Sequence, residues 1–190
     1  MRHVHMFGML LACAFAAVAS AQAPGVAGAP YVPTPTDIVD RMLTLAKIGP
    51  KDYVIDLGSG DGRLVIAAVK EFGARGGFGV DIDESLVEYS NRKAAEDGVA
   101  DRVEFHVRDL FVTDVGAATV VTIYLLPIAM DRLERKLAAE LAPGTRVVSH
   151  DHPLRGWRAE RVVALDVPEK NDYTGRRSTA LYLYVVPRKR

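Results

Sequence analysis

Five short apolar runs, most of them separated by segments of helical period, constrain this chain more than any other feature. Tyr53–Leu57 and residues 77–80, 102–107, 119–125 and 145–149 are dominated by aliphatic and β-branched side chains. Between and before them, apolar residues return at three- and four-residue intervals. That spacing predicts helices over 36–48, 64–72, 84–97 and 128–141, the first opened by Thr36 as N-cap and closed by Gly49-Pro50. Strands that are apolar along their length need cover on both faces, which is the situation of a parallel sheet between helical layers. Residues 161–165 and 179–186 add two further strands with no helix between them, so they can pair antiparallel. The expected architecture is α/β: a seven-stranded, mostly parallel sheet with helices on both faces and a C-terminal antiparallel strand pair.

A chain of 190 residues suits one such domain. Acidic and basic residues balance at 24 each, so no general excess of positive charge draws the chain to nucleic acid, and no nucleic-acid partner is expected. The basic tail Arg188-Lys189-Arg190 reads as a solvated terminus. The one cysteine, Cys13, precedes the domain, which excludes disulfides, thiolate zinc sites and cysteine nucleophiles within it.

The first residues have a different character. Arg2 and two histidines precede an uncharged apolar stretch from Met6 to Val18, followed by Ala19-Ser20-Ala21. That order predicts a signal peptide over 1–21, cleaved after Ala21 or Ala23. Residues 22–35, rich in Pro, Gly and Ala, read as a linker. The domain is then 36–190.

The chemistry concentrates where the first strand turns into the next helix, at Val54-Ile55-Asp56-Leu57-Gly58-Ser59-Gly60-Asp61-Gly62-Arg63. Glycines there permit close backbone approach, and the amides at the helix start suit a carboxylate. Three acids sharpen the pattern. Asp56 ends the first strand, Asp81 ends the second about twenty residues beyond the glycines, and Asp109 follows the third. An acid at the Asp81 spacing can hold a ribose diol, and strand tips are where open α/β sheets bind ligands.

Asp-Leu-Gly-Ser-Gly-Asp-Gly resembles the first motif of the class I S-adenosylmethionine-dependent methyltransferases, and the resemblance extends over residues 31–186. It implies a Rossmann-like fold with S-adenosylmethionine as cofactor. By the same resemblance Asp56 and the loop Gly58, Ser59, Gly60, Asp61 and Gly62 face the methionine part, Asp81 the ribose, and Asp109 with Leu110 the adenine. Tyr31-Val32-Pro33, Tyr124-Leu125-Leu126-Pro127 and the stretch 146–157 are similar to the protein-lysine methyltransferases that include the ATP-synthase c-subunit enzyme and its bacterial relatives. The segment after strand four departs from the animal members, which are closer to Phe-Gly-Val-Pro there. A methyl acceptor, a protein lysine among the candidates, is the partner this implies.

Tyr124 falls at the tip of strand four, where this superfamily places its acceptor, and is a candidate for the acceptor channel. His150 and Asp151, after strand five, are candidates for a general base or for acceptor binding. His150 and His152 sit on alternate faces of an extended chain with no third ligand evident, so no metal is expected. His106 reads as a core histidine and Trp157 as a packing residue. Tyr31-Val32-Pro33 reads equally as a lid over the cofactor or as a docked linker. One conflict stands. The cofactor is made in the cytoplasm, whereas a cleaved signal exports the domain to the periplasm. An uncleaved signal gives inner-membrane tethering, and a start downstream of Met1 gives a cytoplasmic enzyme. The alternatives to protein-lysine methylation are a non-catalytic adenosyl-ligand-binding module and a small-molecule or RNA methyltransferase.

Overall fold

The computed structural model describes residues 31–170, 175 and 177–187. The segment expected to be a signal peptide (1–21), the first nine residues of the expected linker and the basic tail lie outside them. Helix α1 (Thr36–Leu45) precedes an alternation of β1 (Tyr53–Leu57), α2 (Arg63–Lys70), β2 (Gly76–Asp81), α3 (Glu84–Glu96), β3 (Val103–Val107), β4 (Val120–Ile123), α4 (Pro127–Glu140) and β5 (Arg146–His150). Strand β6 (Arg161–Asp166), a short 3-10 turn and β7 (Ser178–Val185) complete the chain. The seven strands form one sheet in the order β3-β2-β1-β4-β5-β7-β6. The first five are parallel, and β7 runs antiparallel to both β5 and β6. The expected α/β architecture, with its antiparallel C-terminal pair, is the one observed.

Successive residues of each central strand serve opposite cores. Val54, Val120 and Val148 face α1, α2 and α3, whereas Ile55, Leu57, Val121, Ile123 and Val147 face α4. Both faces are therefore dry, which is why the strands carry no polar alternation. The strand order reverses direction between β1 and β4, a topological switch point whose carboxyl-end crevice is open to a ligand.

Several boundaries differ from the sequence reading, each for a local reason. Pro35, not Thr36, occupies the N-cap of α1, and its carbonyl accepts from the amides of Ile38 and Val39 at 3.0 Å. Strand β4 is shorter than its apolar run. Thr119 instead ties its hydroxyl to Asp52 (2.8 Å), and Tyr124 and Leu125 leave the sheet at its other end. His106 is half-exposed rather than core, because β3 is an edge strand. Its Nε2 lies 3.5 Å from Glu104. Trp157 packs edge-on against Tyr184, as expected.

Candidate active site

Over the carboxyl ends of β1, β2 and β4 lies a cavity of about 510 Å³, within the range of small-molecule sites. Gly58, Gly60 and Gly62 all take positive φ (84°, 53° and 80°), and the turn they make carries β1 into α2 under this cavity. At Gly60 a side chain is excluded twice over. The backbone is left-handed, and a Cβ would come within 2.5 Å of the Tyr31 ring. Asp81 Oδ2 accepts from the Gly60 amide at 2.9 Å, so the second strand's acid also sets the shape of the first strand's loop.

Of the residues singled out from sequence, Asp56, Gly58, Ser59, Gly60, Asp61, Asp81, Asp109, Leu110 and Tyr124 all line the cavity. Gly62 does not. It is the N-cap of α2 and sits against Phe105 and Ser90, one layer back. His150 and Asp151 are not wall residues either. His150 is fully buried, with its ring stacked on that of Tyr124 at 3.9 Å between centroids. Asp151 forms an ion pair with Lys170. Tyr31, Val32, Pro33 and Thr34 are wall residues, so the end of the segment read as a linker belongs to the site. They are fastened there by Arg63, which pairs with Asp61 and donates from Nη1 to the Thr34 carbonyl at 2.6 Å.

Some wall residues had no role in the sequence reading. Arg63 closes the motif but its reach back to Thr34 is not visible in spacing. Phe111 and Arg132, whose guanidinium sits 3.8 Å over the Phe111 ring, come from a loop and from the second turn of α4. Thr122 pairs with Asp56 across β1 and β4 and donates to its Oδ1 at 2.6 Å, a partnership set by register alone.

The electrostatics favour a cationic guest. Burial pushes the Asp56 carboxyl up to about 7, against the lowering effect of the Thr122 hydrogen bond and with added repulsion from Asp81 and Asp61. Such a group gains from a nearby positive charge. Burial also raises the Tyr31 hydroxyl, beside Asp61, and pushes Tyr124 up to about 12. His150 is held down to about 4 by its burial and stays neutral at physiological pH. Among the described residues no group of three or more histidines, cysteines or acids is placed to hold a metal. The turn's own amides are engaged within the protein, those of Gly58 and Ser59 by the Val80 carbonyl and that of Gly60 by Asp81. A cavity lined by this glycine turn, a ribose-spaced acid and a buried carboxyl fits an adenosyl sulfonium.

Comparison with known proteins decides the matter. The ANTKMT methyltransferase domain family matches residues 56–161, more than half of the chain. The chain belongs to that methyltransferase family. A protein-lysine N-methyltransferase of Saccharolobus islandicus is 40% identical over 83% of the chain and 93% of its own length. The ATP-synthase c-subunit lysine N-methyltransferase of Xenopus laevis is 36% identical over 70% of the chain, which spans 58% of that longer relative. A crystal structure of an RNA methyltransferase from Salinibacter ruber, in complex with S-adenosylhomocysteine, is 45% identical. It aligns with a TM-score of 0.75 over 84% of the chain and 96% of its own. The methyltransferase uses S-adenosylmethionine as its cofactor.

Proposed function

We propose that this methyltransferase transfers its methyl group to the side-chain amine of a protein lysine. The observation that carries the reading is the 40% identity, over 93% of its length, to an archaeal protein-lysine N-methyltransferase. The chemistry of the wall supports it. Tyr124, Leu125 and Leu126 face the cavity from the tip of β4, and Tyr124 is pushed up to about 12 by burial. An apolar wall disfavours the charged ammonium and favours the neutral amine that can attack.

The cofactor supplies a methyl group activated by a positive sulfur. The glycine turn and Asp56 would hold its methionine end, Asp81 its ribose hydroxyls, and Asp109 with Leu110 its adenine, all of them residues that line the cavity. The acceptor amine loses one proton to water as it enters. When bound, the cofactor would offer that methyl group to the amine's lone pair, with the C–S electron pair leaving on sulfur as the thioether. Positioning of donor and acceptor in line is the main contribution the protein makes.

Incubation of the purified chain with methyl-labelled cofactor and, separately, protein extract or total RNA tests this. Label in trichloroacetic-acid-precipitable, protease-sensitive material, recovered as methyl-lysine on hydrolysis, is the expected result. Label confined to RNA would transfer the reading to the activity named for the Salinibacter relative. No transfer to either, with cofactor still bound, would support a binding module.

A further inference from the structure

We propose that His150, Thr179, Asp151 and Lys170 form a buried bracket that fixes the plane of Tyr124 on the acceptor side of the cavity, making His150 and Asp151 positioning residues. This rests on the reading of Tyr124 as an acceptor-side wall. Tyr124 lies between His150 and the cavity, and the two rings stack at 3.9 Å with 26° between their planes. No imidazole nitrogen therefore reaches a guest without Tyr124 moving.

Proton accounting fixes the histidine. Thr179 Oγ1 donates its one proton to Asp151 Oδ1 at 2.7 Å and accepts from Lys170 Nζ at 2.7 Å. Its remaining lone pair faces His150 Nε2, also at 2.7 Å, so Nε2 must carry the proton. Nδ1 is left as a buried acceptor with no hydrogen-bond partner. A phenyl ring would fill the same space without that cost, so the imidazole is used for its directed N–H. The rest of the bracket is built to keep Thr179 oriented. Asp151 sits at φ 64°, a strained value for a non-glycine residue. Its amide donates to Ala180 O at 2.7 Å, and its Oδ1 accepts from Ala180 N at 3.2 Å. Lys170, 4% exposed, joins Asp151 and also donates to Ser178 O at 3.1 Å. A buried ion pair is a poor source of stability but a good source of a unique geometry.

The experiment compares wild type, Thr179→Val and Thr179→Ser, labelled with nitrogen-15 histidine and carbon-13 tyrosine. Four quantities are read. They are the His150 tautomer and Tyr124 ring contacts by NMR, S-adenosylhomocysteine affinity by calorimetry, and methyl transfer to poly-L-lysine. Wild type should show a single Nε2–H tautomer and a fixed Tyr124 ring. Thr179→Val should lose both and raise the KM for poly-L-lysine about tenfold, with S-adenosylhomocysteine affinity within twofold of wild type. Thr179→Ser should restore the single tautomer, the fixed ring and the wild-type KM. His150→Phe, which keeps the stack but not the N–H, should loosen Tyr124 as Thr179→Val does, and carries the test if the valine variant does not fold. An unchanged tautomer and Tyr124 ring in Thr179→Val, or wild-type transfer by His150→Phe, would overturn the bracket. A wild type that methylates RNA but not poly-L-lysine would overturn the lysine reading alone, because the NMR comparison stands without an acceptor.

Discussion

The hydroxyl of Thr122 donates to Oδ1 of Asp56 at 2.6 Å, across the register pair that joins β4 to β1. That bond lowers the pKa of a carboxyl that burial and two neighbouring acids nevertheless push up to about 7. Asp56 is consequently poised to change charge near neutrality, on the wall of the cavity.

Cofactor affinity should follow that charge. A cationic guest favours ionised Asp56, so binding should strengthen up to about tenfold per pH unit as pH rises towards 7, and level off above it. Asp56→Asn keeps the Thr122 contact but has no charge to lose. Calorimetry with S-adenosylmethionine between pH 5.5 and 8.5 should show weaker binding in the variant and a pH dependence reduced by this one proton. An identical pH profile in both proteins would remove Asp56 from that role.

Stability without cofactor should reveal two opposed titrations. Asp56 is raised from 3.8 to about 7, so its contribution is fullest below pH 4 and is lost as pH rises towards 7. His150 is lowered from 6.5 to about 4, so its contribution is complete above pH 6.5 and is lost as pH falls towards 4. Between about pH 4.5 and 6.5 the two slopes offset each other. Asp56→Asn removes one of them. The variant should be more stable than wild type at pH 8, by the order of a few kcal/mol, and should lose up to about 1.4 kcal/mol per unit as pH falls below 6.5. Urea unfolding at four pH values checks both signs.

Gly60→Ala should damage the site more than the fold. A left-handed alanine costs about 1–2 kcal/mol, and its methyl must displace Tyr31 from 2.5 Å. Affinity for S-adenosylhomocysteine should fall tenfold or more, while circular dichroism keeps the native spectrum. Retained affinity would mean that the Tyr31 ring is not part of the binding surface.

Arg146→Ala should do the reverse. Its guanidinium holds the Ala46 carbonyl at 2.5 Å and the Lys47 carbonyl at 3.0 Å, and pairs with buried Asp52, so it pins the end of α1 to the sheet. Asp52 keeps its hydrogen bonds from Thr119 and Gly49 but loses its counter-charge, which should cost about 1–2 kcal/mol. The site lies at the opposite ends of the strands, so cofactor affinity should not change. Thermal unfolding beside calorimetry separates the two effects.

What sequence reveals here is local. Period and apolar runs show the strands and helices, and the absence of a helix between the last two strands shows their antiparallel pairing. The acids at three strand tips mark one wall of the cavity, because Asp56 and Asp81 lie at or beside the ends of their strands and Asp109 follows its own. Contacts made by register or by long side chains stay hidden. Nothing in the spacing pairs Thr122 with Asp56, sends Arg63 back to Thr34, or brings Lys170 and Thr179 behind His150. His150 and Asp151 read as rim chemistry when the fifth apolar run is taken to end the strand at Ser149. It runs one residue further, and His150 turns into the interior.

The grip of Arg63 on Thr34 means that the smallest unit able to fold and the smallest unit able to work are not the same length. A version trimmed to begin at α1 keeps every strand and both cores, yet surrenders one side of the cavity. It should express as a sound, inert protein. Crystallographers and enzyme engineers choosing where to cut should keep Tyr31.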